Sequence, residues 1–300
     1  MSTDRSRPLV IGGALVDVKG KTRAHLVPGT SNIGTVGRRP GGVGFNIAAT
    51  LARLGAAPRF LSLVGRDDDG AWMLAECARA GLDADLVLRD PYAATATYLA
   101  ILDSDGCLSV GVAAAEICER MLPDLLERHE EVIAASPLVV ADLNLPAASV
   151  RWLSQTCRAH AVPLWIEPTA ADKCCRLEDA LQGVTYLSPN EEEVDALGGV
   201  ARLLSAGVMH VFATLGADGV RWVSAAGERI LPSRVVEVKD VTGAGDAFVA
   251  GTTWAVMHGE PMERALQFGI SAALLTIQTC DSMPLITPQQ LRETCREYFG

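Results

Sequence analysis

The chain has 300 residues, 49% hydrophobic and 21% charged, enough to enclose a large core as one big α/β domain or two smaller ones. Its 26 Lys and Arg against 36 Asp and Glu give a net charge of −10, which argues against nucleic-acid or anionic-membrane binding. Eight cysteines with no C-x-x-C pair and five scattered histidines argue against a disulfide scaffold or a zinc site, and no apolar run reaches the ~20 residues of a membrane span.

The polar opening, residues 1–8, has no signal-peptide pattern, so a soluble, cytoplasmic protein is expected. Leu9-Val10-Ile11 predicts a short strand, and Gly12-Gly13 then leads to Asp17. Strand, glycine turn and carboxylate suggest a sheet edge opening onto a site. Residues 19–39 are polar and Gly-rich and predict extended segments of a small accessory sheet. Pro40-Gly41-Gly42-Val43-Gly44-Phe45-Asn46 is a glycine loop feeding a helix, with Ile47, Leu51 and Leu54 at helical spacing and Gly55 as the stop. It is not the dinucleotide fingerprint, because Ile47 stands where the third glycine belongs. No G-K-[ST] occurs anywhere, which excludes a P-loop.

Residues 59–64 predict a strand and 71–80 an amphipathic helix stopped by Gly81. Residues 95–102 and 107–112 flank Asp103-Ser104-Asp105-Gly106, a hairpin signal that completes the accessory sheet. Residues 116–135 read as helix. An α/β alternation follows, with strands at 138–141, 164–166, 186–187 and 210–214 and helices at 147–160, 179–181, 191–197 and 201–206. A hairpin pairs 220–223 with 229–231, and helices at 245–258, 262–276 and 288–298 end the chain. The cysteines at 77, 107, 118, 157, 174, 175, 280 and 295 are expected to be mostly small buried residues.

Polar residues close most of the strands: Asp142 and Asn144, Glu167, Asn190 and Glu193, Thr214 and Gly216. In a parallel sheet, ligands bind at the carboxyl ends of strands. Between a β-rich run at 234–239 and an apolar run at 247–257 lies Asp240-Val241-Thr242-Gly243-Ala244-Gly245-Asp246. A helix starting there presents unpaired N–H groups and its positive dipole end, which together make an anion site. Asp246 adds a carboxylate. Donors for a moving phosphate beside a base for a hydroxyl are what phosphoryl transfer to an alcohol needs. A capped loop-to-helix junction would use the same residue types. The second glycine loop, the hairpin and the polar strand ends favour the site.

The two glycine clusters resemble the two signatures of the ribokinase-like, or PfkB, family of sugar and nucleoside kinases. Gly55 and Gly65 lie at that family's spacing, Asn190-Glu191-Glu192-Glu193 resembles its N-x-x-E motif, and Thr214-Leu215-Gly216 its nucleotide-loop motif. The resemblance covers nearly the whole chain in order. It implies an α/β fold, a ribokinase-like three-layer sandwich with a mainly parallel central sheet, and a single kinase domain over 1–300. A small β-sheet lid would come from segments near 15–39 and 93–113. Three further runs, 139–144, 167–173 and 97–103, resemble the pseudouridine-phosphorylating branch of the family.

The resemblance implies ATP-dependent phosphorylation of the 5′-hydroxyl of a ribosyl compound, pseudouridine in particular. Another nucleoside or sugar such as ribose or adenosine, or a silent sugar- or nucleotide-binding regulator, stays open as an alternative. By the same resemblance Asp246 is the base, with Gly243, Ala244 and Gly245 holding the transferring phosphate. Asp17, Gly41, Gly42, Asn46 and Asn144 would bind the acceptor. Lys173, Asn190, Thr214, Gly216 and Gly219 would border ATP. Glu193 would act on Mg²⁺ through water, and Asp240 on a monovalent cation such as K⁺. The lid would exclude water and join a homodimer. Two departures stand out: Leu15, where many relatives are polar, and Ala113-Ala114-Ala115, where the pseudouridine branch carries polar residues. One lost buried hydrogen bond costs about 1–3 kcal/mol, enough to change preference.

Overall fold

The computed structural model describes residues 6–279 and 283–300; Cys280 and the first five residues lie outside them. Period-two alternation builds the central sheet. Val10, Phe60, Val140, Trp165 and Phe212 enter the core on one face. Leu9, Ile11, Leu61, Val139, Ala141, Ile166 and Val211 enter the core on the other.

The first half of the chain runs β1 (Leu9–Ile11), β2 (Leu15–Thr22), β3 (Gly34–Gly41), α1 (Val43–Arg53), β4 (Arg59–Gly65), α2 (Asp68–Arg79) and β5 (Val87–Asp90). It continues through β6 (Thr97–Leu102), β7 (Leu108–Ala114), α3 (Pro123–Glu127), α4 (Glu130–Ala135), β8 (Val139–Asp142) and α5 (Ala147–Ala159). The second half adds β9 (Leu164–Glu167), β10 (Tyr186–Leu187), α6 (Glu191–Ala196), α7 (Val200–Ser205), β11 (His210–Thr214), β12 (Val220–Ser224) and β13 (Gly227–Leu231). Three helices follow: α8 (Ala244–Met257), α9 (Met262–Ile277) and α10 (Pro288–Phe299).

The nine-stranded sheet has the order β13-β12-β11-β10-β9-β8-β1-β4-β5. It is parallel from β11 to β5, and the β12–β13 hairpin adds an antiparallel end. Helices α1, α8 and α9 pack on one face and α5 on the other, giving the three layers expected. A separate four-stranded sheet, β3-β2-β6-β7, matches the accessory sheet read from the sequence. Among the described residues no helix is long and apolar enough to cross a membrane.

α8 and α9 approach closely because each carries a glycine at the crossing. A Cβ on Gly251 would stand 2.8 Å from Ala272 Cβ and 2.9 Å from Phe268 O. A Cβ on Gly269 would overlap Thr252 Oγ1 and stand 2.8 Å from Phe248 O. This packing fixes α8, whose first turn carries Asp246.

Four expectations need correcting. Residues 116–135 are not one helix but a 3₁₀ turn, Glu116–Arg120, followed by α3 and α4. Pro123 has no N–H to continue a helix and instead starts α3 at its first turn. The helix at 179–181 is only a 3₁₀ turn, Leu181–Gly183, too short to meet the cost of an α nucleus. The run 234–239 forms no strand; it leaves the sheet after β13, and Val235 is fully exposed. β1 lies in the sheet interior, so its carboxyl end, rather than a sheet edge, opens onto the site. β5 escaped the sequence reading because it is a four-residue edge strand with a charged centre.

Of the seven described cysteines, all free, five are buried. Burial pushes the thiols of Cys77, Cys118, Cys157 and Cys174 up to about 12, which keeps them protonated and inert.

Candidate active site

The side expected to bind the acceptor forms where the carboxyl ends of β1 and β8 meet the start of α1. Gly42 caps α1 with φ 94°, a conformation that side chains other than glycine rarely adopt. A Cβ there would also stand 2.5 Å from Gly13 O. The next turn brings α1 onto β1: a Cβ on Gly44 would stand 2.8 Å from Gly12 Cα. A Cβ on Gly41 would overlap the Asp17 carboxylate, so that glycine clears space for a side chain on β2. Burial raises Asp17 to about 6, against the pull of Lys19.

One turn into α1, Asn46 Nδ2 donates to Asp246 Oδ2 at 2.7 Å. That bond joins the two glycine loops directly across the fold. Asn46 Oδ1 is buried and has no hydrogen-bond partner among the described residues. A buried amide oxygen left unpaired costs free energy unless a ligand hydroxyl satisfies it.

The side expected to bind phosphate is the start of α8. Gly243 caps the helix in the left-handed region, φ 80°. The Ala244 N–H, expected at the phosphate, donates to Val241 O at 3.2 Å. Among the described residues, the amides of Gly243, Gly245 and Asp246 have no backbone acceptor. Asp246 is 9% exposed. Burial, partly countered by the Asn46 bond and reinforced by the charges of Asp142 and Asp17, pushes it up to about 7. A carboxylate with that affinity for a proton is matched to general-base work near neutrality.

Asp240 lies at the outer edge of this loop. Its Oδ1 accepts from Thr242 N at 2.9 Å and Thr242 Oγ1 at 2.7 Å. Its Oδ2 faces Lys19 Nζ at 4.0 Å. Burial pushes this carboxyl up, but the Thr242 bonds and the charges of Lys19 and Arg39 outweigh it and leave it below the usual range. Its two hydrogen bonds both fall on Oδ1, and Oδ2 has only the Lys19 ammonium beside it among the described residues.

A cavity of about 450 Å³ opens beside the heptad. Thr214, Gly216 and Gly219 line one side, Ala244 and Gly245 another, and Val235, Val241 and Leu274 belong to its apolar wall. Lys173 and Asn190, expected to border ATP, are not among its lining residues. Lys173 Nζ donates to Asn144 Oδ1 at 2.6 Å. Asn190 caps α6 in a reciprocal pair with Glu193: Oδ1 takes the Glu193 N–H at 2.9 Å, and Glu193 Oε2 takes the Asn190 N–H at 2.8 Å. Asn190 bridges to Thr214, so this cap borders the cavity wall. Glu193 is buried, which raises its carboxyl, and its Oε1 has no protein partner among the described residues.

Two groups carried no assigned role in the sequence. Asp142 closes β8, is 1% exposed and binds both glycine turns through backbone amides. Its only signal was the spacing of Asp142 and Asn144 at a strand end. Glu167 closes β9, hydrogen-bonds Ser188 and lies within the electrostatic reach of Asp246, Glu193 and Asp142; burial raises it well above an ordinary carboxyl. The cavity wall was hidden because Val235, Val236 and Val238 made residues 234–239 read as a β-rich run.

Residues 6–287 match the model of the pfkB family carbohydrate kinases. The chain is 32% identical to pseudouridine kinase of Escherichia coli over 92% of its own length and 90% of that protein's. Among solved structures it resembles a carbohydrate kinase from Agrobacterium tumefaciens, with TM-score 0.87 and 31% identity, covering 97% of each chain. A putative ribokinase II from E. coli, solved in complex with ATP and Mg²⁺, superposes with TM-score 0.83 at 20% identity, covering 98% of this chain and all of that one.

Proposed function

The chain belongs to the pfkB family and is a sugar or nucleoside kinase, and we propose that it phosphorylates the 5′-hydroxyl of a ribosyl nucleoside, pseudouridine in particular, at the expense of ATP. The observation that carries this reading is the Asn46–Asp246 bond of 2.7 Å, with the unpaired Asn46 Oδ1 beside it. Asn46 and Asp17 offer an amide and a carboxylate to the paired hydroxyls of a ribose, which both donate and accept. Asp246 takes the proton of the attacking hydroxyl, and the free amides at the start of α8 receive the transferring phosphoryl group. ATP lies in the cavity beside Thr214, Gly216 and Gly219, its base against the apolar wall. The partly free, buried carboxylate of Glu193 and the neighbouring Glu167 suit Mg²⁺ held through water. Bound there, Mg²⁺ would neutralise phosphate charge. The nearest competing acceptors are ribose and other nucleosides, since Ala113–Ala115 present no polar side chain to a base.

The expected result is ADP release with pseudouridine at a kcat/KM above those with uridine, cytidine, adenosine and ribose. A preference for ribose or adenosine would overturn the choice of acceptor and leave the kinase intact. A protein that releases no ADP with any of them would overturn the reaction.

The small sheet covers the acceptor, because Asp17 on β2 faces Asp246 electrostatically. Strand register places Lys19 on the Asp17 face and Val18, Leu99 and Val112 on the other. That outer face exposes Val36, Leu99, Val110 and Val112. Four apolar side chains on one sheet face suit a second copy of the chain, and we assign the homodimer contact there. Light scattering is expected to give a dimer for the wild type and a monomer for Val110→Glu/Val112→Glu; a dimeric double variant would place the contact elsewhere.

A further inference from the structure

We propose that Asp142 is the positioning residue of the acceptor subsite, the one carboxylate through which the β1 turn, the start of α1 and the end of β8 are held in mutual register; this rests on the kinase reading above. Its Oδ2 accepts from Gly13 N at 2.9 Å and from Gly44 N at 2.8 Å. Its Oδ1 accepts from Asn144 N at 2.9 Å. These three amides belong to three different segments, and each segment carries an acceptor-side residue: Asp17 after Gly13, Asn46 after Gly44, and Asn144 itself. The Gly44 amide is in the first turn of α1, so the carboxylate also sits at the positive end of that helix.

The fit leaves no slack. A Cβ on Gly12 would overlap the Asp142 carboxylate. Among the described residues no basic side chain bonds to Asp142; backbone amides and the Asn144 side chain supply all its hydrogen bonds. A buried carboxylate compensated by amides is destabilised sharply when one of them is misplaced. Geometry at Asn46 is therefore tied to Asp142 through a two-residue lever, and Asn46 delivers that geometry to Asp246.

Asp142 also acts through space. The groups facing Asp246 are Asn46 from α1, Asp17 from β2, Asp142 from β8 and Glu167 from β9. Desolvation is the main cause of the raised proton affinity of Asp246, and the negative charge of Asp142 adds to it. A side chain that only braced the fold would leave that affinity alone.

Asp142→Asn separates the alternatives. An amide cannot accept at both ends, so one of the three N–H groups meets an N–H₂. The KM for the acceptor is expected to rise about tenfold or more, with the KM for ATP within about twofold of wild type. The acid limb of kcat/KM is expected to move to lower pH, since the base loses a negative neighbour. Asp142→Glu keeps the charge and displaces the oxygens; it is expected to raise the acceptor KM with the acid limb in place. An ATP-induced thermal shift identifies which variants are folded. Equal changes in both KM values, or an unmoved acid limb in Asp142→Asn, would overturn the proposal. So would a wild type whose acceptor kcat/KM is flat between about pH 5.5 and pH 8, with no variant needed. A wild type inactive towards every acceptor would instead remove the kinase reading on which the proposal stands.

Discussion

Asp246→Asn is expected to lower turnover by about 10²–10⁴-fold while ATP binding stays near wild type. The amide is nearly isosteric, so the 2.7 Å approach of Asn46 and the start of α8 survive the change. What disappears is the ability to take a proton from the hydroxyl as it attacks. In the wild type the acceptor kcat/KM should fall as pH drops through about 7, where burial has placed Asp246. Asp17, raised to about 6, interacts with it, so the limb reports the pair rather than either group. Stability should move the other way. A carboxyl whose folded value lies above its unfolded 3.8 helps the fold below 3.8 and loses that help as pH rises through about 7. The melting temperature of Asp246→Asn relative to wild type should therefore grow between pH 4 and pH 7 and be highest at pH 8. Wild-type turnover in the variant would refute the base assignment, and a relative melting temperature that falls with pH would refute the buried anion.

Gly269→Ala is expected to destabilise the protein by about 1–3 kcal/mol, and Gly251→Val by at least as much. At this chain length each kcal/mol corresponds to about 2–4 °C in Tm. In Gly269→Ala the added methyl meets Thr252 Oγ1 and the Phe248 carbonyl, and a backbone carbonyl cannot rotate away. α8 must then move off α9, and its first turn carries Asp246 with it. Activity below the new melting point should fall together with stability, unlike Asp246→Asn. Calorimetry showing an unchanged Tm for Gly269→Ala would mean that the two helices slide without strain.

The strand and helix order was readable because period-two and period-3.6 patterns are local. The Gly-rich heptad with its carboxylate was readable locally as an anion site beside a base, whereas the roles of Asn46 and Asp17 entered only through the family resemblance. The failures share a cause. Residues 234–239 have the composition of a strand, but whether they pair depends on whether the chain turns back along β13, which is a tertiary matter. The bond from the Ala244 amide to Val241 O was not readable, because it depends on the left-handed turn at Gly243. Asp142 looked like an ordinary strand-end residue. Its importance lies in two amides that are 129 and 98 positions away in sequence.

The bond between Asn46 and Asp246 spans 200 positions. During synthesis from the N-terminus, the acceptor loop and the small sheet leave the ribosome long before α8 exists. Until α8 and α9 have emerged, α1 lacks the helices that share its core cluster, and Asn46 lacks the carboxylate it bonds. The base arrives last, together with the amides that hold the phosphate and the helix that α9 must clamp. The join between the two glycine loops therefore depends on a core that only the C-terminal helices complete.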